Sequence, residues 1–182
     1  MTKIDYTVSA WYVLQNLKPK NAKKSSYQIL KDLGLIVFTP LEWKITNKDG
    51  KTFREEYPIL NDLLFVNESR EKLDPIIQKN KTIRYKFIRG GAQNEPLIIP
   101  NAEMEQFINV VNNSQKVRYY RPDEITPAMF GRKIIMIGGT LDGCKGYLLT
   151  TRGSRKKRLF IEIPNTCAIS TEVEPEFIQF LE

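Results

Sequence analysis

Apolar positions along the chain switch between two periods, and each switch marks a predicted element. Trp11-Tyr12-Val13-Leu14 is an aromatic and branched run that predicts a strand ending near Asn16. From Asn21 to Leu33 the spacing becomes helical. Ala22, Ser26, Ile29, Leu30 and Leu33 share one face, and Lys20, Lys23, Lys24 and Lys31 lie opposite. Gly34 follows, where a helix ends in left-handed backbone. Leu35 to Leu41, closed by Pro40, predicts a short strand near a sheet edge or its end. Lys44 to Glu56 is polar around the turn signal Lys48-Asp49-Gly50-Lys51, which predicts an exposed hairpin tip or a mobile loop. Ile59 to Val66 is apolar apart from Asn61 and Asp62, so a strand there carries an interruption. Asp74-Pro75 predicts the N-cap and first position of a short helix. Thr82 to Ile88 sets Ile83, Tyr85 and Phe87 against Arg84 and Lys86, a two-faced strand. Asn101 then caps a helix carrying Met104, Phe107, Ile108 and Val111 at three-four spacing, with Glu103 and Glu105 in its first turn.

The pattern changes beyond Val111. Asn112 to Pro127 has no period and holds two prolines, which predicts a linker. Between Phe130 and Leu181 five short strand candidates follow: Ile134 to Ile137, Tyr147 to Thr151, Leu159 to Ile163, Ala168 to Glu172 and Phe177 to Leu181. Turns at Gly138-Gly139, Arg152-Gly153-Ser154 and Pro164-Asn165 separate them. So many short strands in so few residues predict a small closed barrel, because closure removes unpaired edges. The expected fold is α+β: an N-terminal antiparallel sheet flanked by helices over residues 8–112, a linker over 113–128, and a five-stranded β-barrel over 129–182.

Composition narrows the chemistry. The chain has 28 Lys and Arg against 21 Asp and Glu, a net charge of +7 that suits work near a polyanion. It has no histidine, which removes Ser-His-Asp and Cys-His nucleophile systems and the commonest metal ligand. Pairs such as Glu55-Glu56 and Glu103-Glu105 read as polar surface, so the expectation is a non-enzyme without cofactor or metal. Cys144 and Cys167 are spaced for neither a disulfide framework nor a zinc site and read as small buried hydrophobes. No apolar run approaches bilayer length and the N-terminus lacks an apolar signal core, so a cytoplasmic location off the membrane is expected.

Two basic clusters are candidate nucleic-acid contacts. Lys18, Lys20, Lys23 and Lys24 form one, with a solvated helix face as its plainer reading. Arg152, Arg155, Lys156, Lys157 and Arg158 crowd a turn of the barrel and could meet RNA or a ribosome, although an exposed hairpin tip needs no function. Gly139 to Lys145 fails as a phosphate loop, because Gly146 follows the lysine and the context is strand-turn-strand.

The stretch from Gly131 to Leu149 resembles the KOW motif, with Gly143 at the loop glycine and Gly146 at the required one. The demand there is positive φ or close backbone approach. Trp11-Tyr12-Val13-Leu14, Pro58 to Val66, Tyr85 to Gly91 and Pro96 to Pro100 are similar, in order, to the segments of the N-terminal domain of the NusG family of transcription elongation factors. The resemblance spans nearly the whole chain and leans toward the specialised paralogues, RfaH and the UpxY proteins of capsule loci.

That resemblance implies a monomeric transcription elongation and antitermination factor. It would grip the clamp helices of the largest RNA polymerase subunit through an apolar depression, with Leu60, Leu63, Phe65 and Phe87 as the binding residues. It also implies a touch on the non-template DNA strand by the Lys18 to Lys24 cluster, and recruitment of a ribosomal protein or Rho by the KOW barrel. Some family members fold the C-terminal domain as a helical hairpin; the branched runs and Pro164 here favour strands. The sequence departs from the family in reading Leu60-Asn61-Asp62-Leu63 where Phe-Pro-Gly-Tyr is usual. The competing reading is an RNA-binding or ribosome-associated KOW protein with no polymerase role.

Overall fold

The computed structural model describes residues 7–17, 24–88, 95–150 and 153–182. Contacts divide the chain into two compact units, Met1–Asn101 and Ala102–Glu182. The division falls after Asn101, the first residue of the last helix, whereas the sequence suggested a boundary after that helix.

In the first unit, strands β1 (Ala10–Asn16), β2 (Ile36–Phe38), β5 (Leu63–Glu68) and β6 (Ile83–Tyr85) form an antiparallel sheet in the order β2-β5-β1-β6, and β7 (Ile98–Ile99) pairs with the start of β1. Helix α1 (Ser26–Asp32) begins where the Ser25 hydroxyl accepts from the Gln28 N–H, and it ends before Gly34 at φ +77°. Helix α2 (Arg70–Lys79) starts five residues earlier than Asp74-Pro75 suggested. Ser69 takes the N-cap position, Pro75 sits inside the helix, and Asp74 instead accepts hydrogen bonds from Arg70 and, at 2.6 Å, from the Tyr85 hydroxyl. Tyr12, Leu14, Leu64, Val66, Ile83 and Tyr85 make the sheet side of the core, and Leu30 and Leu73 bring α1 and α2 onto it.

Lys44 to Glu56 is no loose loop. Strands β3 (Leu41–Lys48) and β4 (Lys51–Pro58) pair residue by residue into a two-stranded hairpin. Its turn residues, Asp49 and Gly50, both have positive φ, the backbone that lets a two-residue connection follow the twist of its strands.

The second unit opens with α3 (Asn101–Asn113), of which Asn101 belongs to the first. Then come β8 (Arg118–Tyr120), β9 (Lys133–Met136), β10 (Lys145–Thr150), β11 (Lys157–Ile163), β12 (Cys167–Val173) and β13 (Ile178–Phe180). The ladder runs β13-β9-β10-β11-β12-β8, and among the described residues β8 and β13 do not pair. The sheet is therefore six-stranded and open rather than a closed five-stranded barrel. Its sixth strand comes from the supposed linker, where Arg118, Tyr119 and Tyr120 pair with Ser170, Ile169 and Ala168. Phe130 meets Tyr147 and the buried ring of Phe160 edge to face, and Tyr120 meets Phe160 in the same way.

Candidate functional site

Alternation along the strands of the first sheet sorts its side chains onto two faces. One is the core under α1 and α2. On the other, Phe38, Phe65 and Val13 stand in a row across β2, β5 and β1, with Leu63 opposite Gln15 on the same side. The rings of Phe38 and Phe65 lie 6.4 Å apart. Leu60 is tied to this row through the turn, since its carbonyl accepts from the Leu63 N–H at 3.1 Å. Leu60, Leu63 and Phe65 are thus brought together, and all three are buried, Phe65 completely. Phe87 goes elsewhere: its ring meets Tyr85 edge to face at 6.5 Å, and Tyr85 belongs to the other face of the sheet. Phe87 is 46% exposed.

Positive φ and close approach fix different glycines of the second unit. Gly143 has φ +78° in the turn before β10. At Gly146 a Cβ would collide with the backbone oxygen of Phe160 and crowd Leu159, so a side chain there would push β10 off β11. Beside this turn, the Gln106 carboxamide of α3 donates to the Lys145 carbonyl at 2.8 Å and accepts from the Lys145 N–H at 2.7 Å. Asn109 donates to the Cys144 sulfur at 3.5 Å.

Residues 9–108, more than half of the chain, match the protein family described as "Transcription termination factor nusG". The chain belongs to the NusG family. A solved structure titled "Domain interaction in Thermotoga maritima NusG" is similar at 9% identity and a TM-score of 0.45, covering 98% of this chain and all of that one. No curated protein sequence matches. Proteins of the NusG family are transcription factors that bind RNA polymerase, and the family is not enzymatic.

Among the described residues of this NusG-family chain, the basic side chains of the two clusters have different surroundings. Lys18, Lys20, Lys23 and Arg152 lie outside the described residues. Lys24 is exposed and pairs with Asp32 at 3.0 Å. Hydrogen bonds from Gln28 and then Lys24 hold the Asp32 carboxyl below its usual range. Of the turn after β10, Arg155 is exposed and Lys157 partly so, while Lys156 donates to both oxygens of Glu172 at 3.0 Å.

Arg158 leaves the surface. It points into the sheet and is buried, donating to the Ser170 hydroxyl, the Ser170 carbonyl and the Lys116 carbonyl, with Glu172 at 3.4 Å. Period-two alternation put Arg158 on the side of Phe160, a signal available in the sequence. The Gln106 clamp carried no such signal, because its partner is 39 residues away. No group of three or more metal-ligating side chains converges among the described residues, and no helix is long and apolar enough to cross a membrane.

Proposed function

We propose that this chain is an operon-specific transcription elongation and antitermination factor of the RfaH/UpxY type, acting at capsule-like loci. Its N-terminal domain grips the clamp helices of the largest polymerase subunit. Its C-terminal KOW module brings in a ribosomal protein or Rho. Lys18, Lys20, Lys23 and Lys24 then lie against the non-template DNA strand, and among the described residues of the KOW turn Arg155 and Lys157 are open to touch RNA.

The observation that carries the reading is the family match over residues 9–108, the stretch that contains the whole N-terminal sheet. Its second face supplies the apolar row of Phe38, Val13, Phe65 and Leu63. Leu60, Leu63 and Phe65 are covered in the intact chain, so they reach a clamp helix only after a rearrangement that uncovers them. Phe87 is open to contact as it stands.

Binding of the purified chain to core RNA polymerase and to isolated clamp helices tests this. Phe87→Ala, at an exposed position, keeps the fold and weakens binding by roughly tenfold, the size of a modest interface anchor. Unchanged affinity in the folded variant removes Phe87 from the interface, and a chain that binds neither target ends the proposal.

A further inference from the structure

Of the four residues assigned to polymerase binding, Phe87 alone stands at the surface, and its backbone is only lightly tied. Strand β6 ends at Tyr85. Beyond it an isolated bridge joins Phe87 to Pro96, and Lys86 exchanges bonds with Val13 and Leu97 at 2.8 and 2.7 Å. An exposed phenylalanine at such a place has several staggered rotamers open to it, and a partner that needs one of them must select it. The neighbour that could make the selection beforehand is Tyr85. The two rings meet edge to face, with centroids 6.5 Å apart and planes at 66°.

Tyr85 is itself held on several sides. Its hydroxyl donates to Asp74 at 2.6 Å, and Arg70, one turn earlier on α2, donates to both oxygens of the same carboxylate at 3.3 and 3.2 Å. The Arg70 guanidinium lies 5.5 Å from the centre of the Tyr85 ring, and the ring of Tyr12 meets it edge to face at 5.6 Å. A buried ring fixed by its tip thus backs an exposed one. We propose that Tyr85 is a positioning residue for polymerase binding: tethered through its hydroxyl to Asp74 and Arg70, it holds the Phe87 ring in the orientation that meets the clamp helices. The inference rests on the reading of Phe87 as a clamp contact.

Affinity of the full chain for isolated clamp helices tests it, measured for Tyr85→Phe, Tyr85→Leu, Phe87→Ala and the two double variants. Tyr85→Leu removes the backing ring and weakens binding about fivefold, while Tyr85→Phe keeps the ring, loses the tether and weakens it about twofold. In the Phe87→Ala background neither change weakens binding further, since the ring that Tyr85 positions is gone. A tyrosine that served only the core would lower stability and leave no such coupling. Should Tyr85→Leu fail to fold, Asp74→Ala frees the ring without removing it, and the α–β proton couplings of Phe87 read the outcome with no partner present. They are expected to report one rotamer in the wild type and averaging in the variant. Equal losses with and without the Phe87 ring, a folded Tyr85→Leu that binds as the wild type does, or Phe87 couplings already averaged in the wild type overturn the proposal. Wild-type affinity in Phe87→Ala instead removes the clamp contact itself, and the positioning role with it.

Discussion

Arg158 shows how far one side chain can depart from what its neighbours suggest. Among Arg155, Lys156 and Lys157 it reads as one more surface cation, yet its guanidinium spends its donors on Ser170, Lys116 and Glu172 inside the sheet. Burial, followed by the nearby charge of Arg118, pulls its pKa below the ordinary arginine value. Removing the side chain strands the Ser170 and Lys116 carbonyls and takes one cation from Glu172. Arg158→Ala is therefore expected to cost about 3 kcal/mol in urea unfolding, against about 0.5 kcal/mol or less for Arg155→Ala on the surface. A loss no larger than that of the surface variant would mean that water replaces these bonds. The grouping Arg155 to Arg158 was legible as charge, and the inward place of Arg158 follows only from the alternation it shares with Phe160, not from the charge run itself.

Helices and strands followed the sequence where a period was long or a terminus well marked. β1, α3 and the strands of the second unit lie within a few residues of their predicted spans. The exceptions share a cause, namely partners far away in sequence. Asp74-Pro75 has the look of a helix start, but Asp74 is claimed by Tyr85 and Arg70, and α2 begins at Arg70. Arg118–Tyr120 carries two strand-favouring tyrosines but no period to mark a strand, and it is recruited as β8 by the free edge of β12.

The two glycines around Cys144 and Lys145 make different demands, and substitution separates them. Gly143→Ala meets no neighbour and pays for left-handed backbone alone, about 1 kcal/mol. Gly146→Ala forces a Cβ into the Phe160 carbonyl and must spread β10 from β11, so its cost is expected to exceed about 3 kcal/mol. Chemical denaturation of the two variants orders them, and equal losses would refute the close-approach argument.

Taken as a whole molecule, the chain divides into two units, and each hides a tyrosine whose neutral form the fold protects. Burial, then the Asp74 carboxylate that accepts its hydroxyl, pushes Tyr85 far above the usual tyrosine value; burial pushes Tyr119 up to about 12. A folded pKa above the unfolded value of 10.0 gives stability that is complete below that pH and lost as pH rises past it. From neutral pH upward, thermal melts should therefore hold until about pH 10 and then fall, with Tyr85→Phe and Tyr119→Phe each flattening part of the alkaline decline. An unaltered decline in both variants would assign it to other groups. The family was readable because separate motifs of the first half agreed in order along the chain. Closure of the second sheet was not, since whether its first and last strands meet depends on twist accumulated over the intervening ones. The seam left open has a consequence for solubility. Each rim of that sheet is a strand of only three residues, Arg118–Tyr120 on one side and Ile178–Phe180 on the other. Rims so short give a foreign strand little to zip onto, so the module resists growing into fibres by brevity rather than by sealing itself.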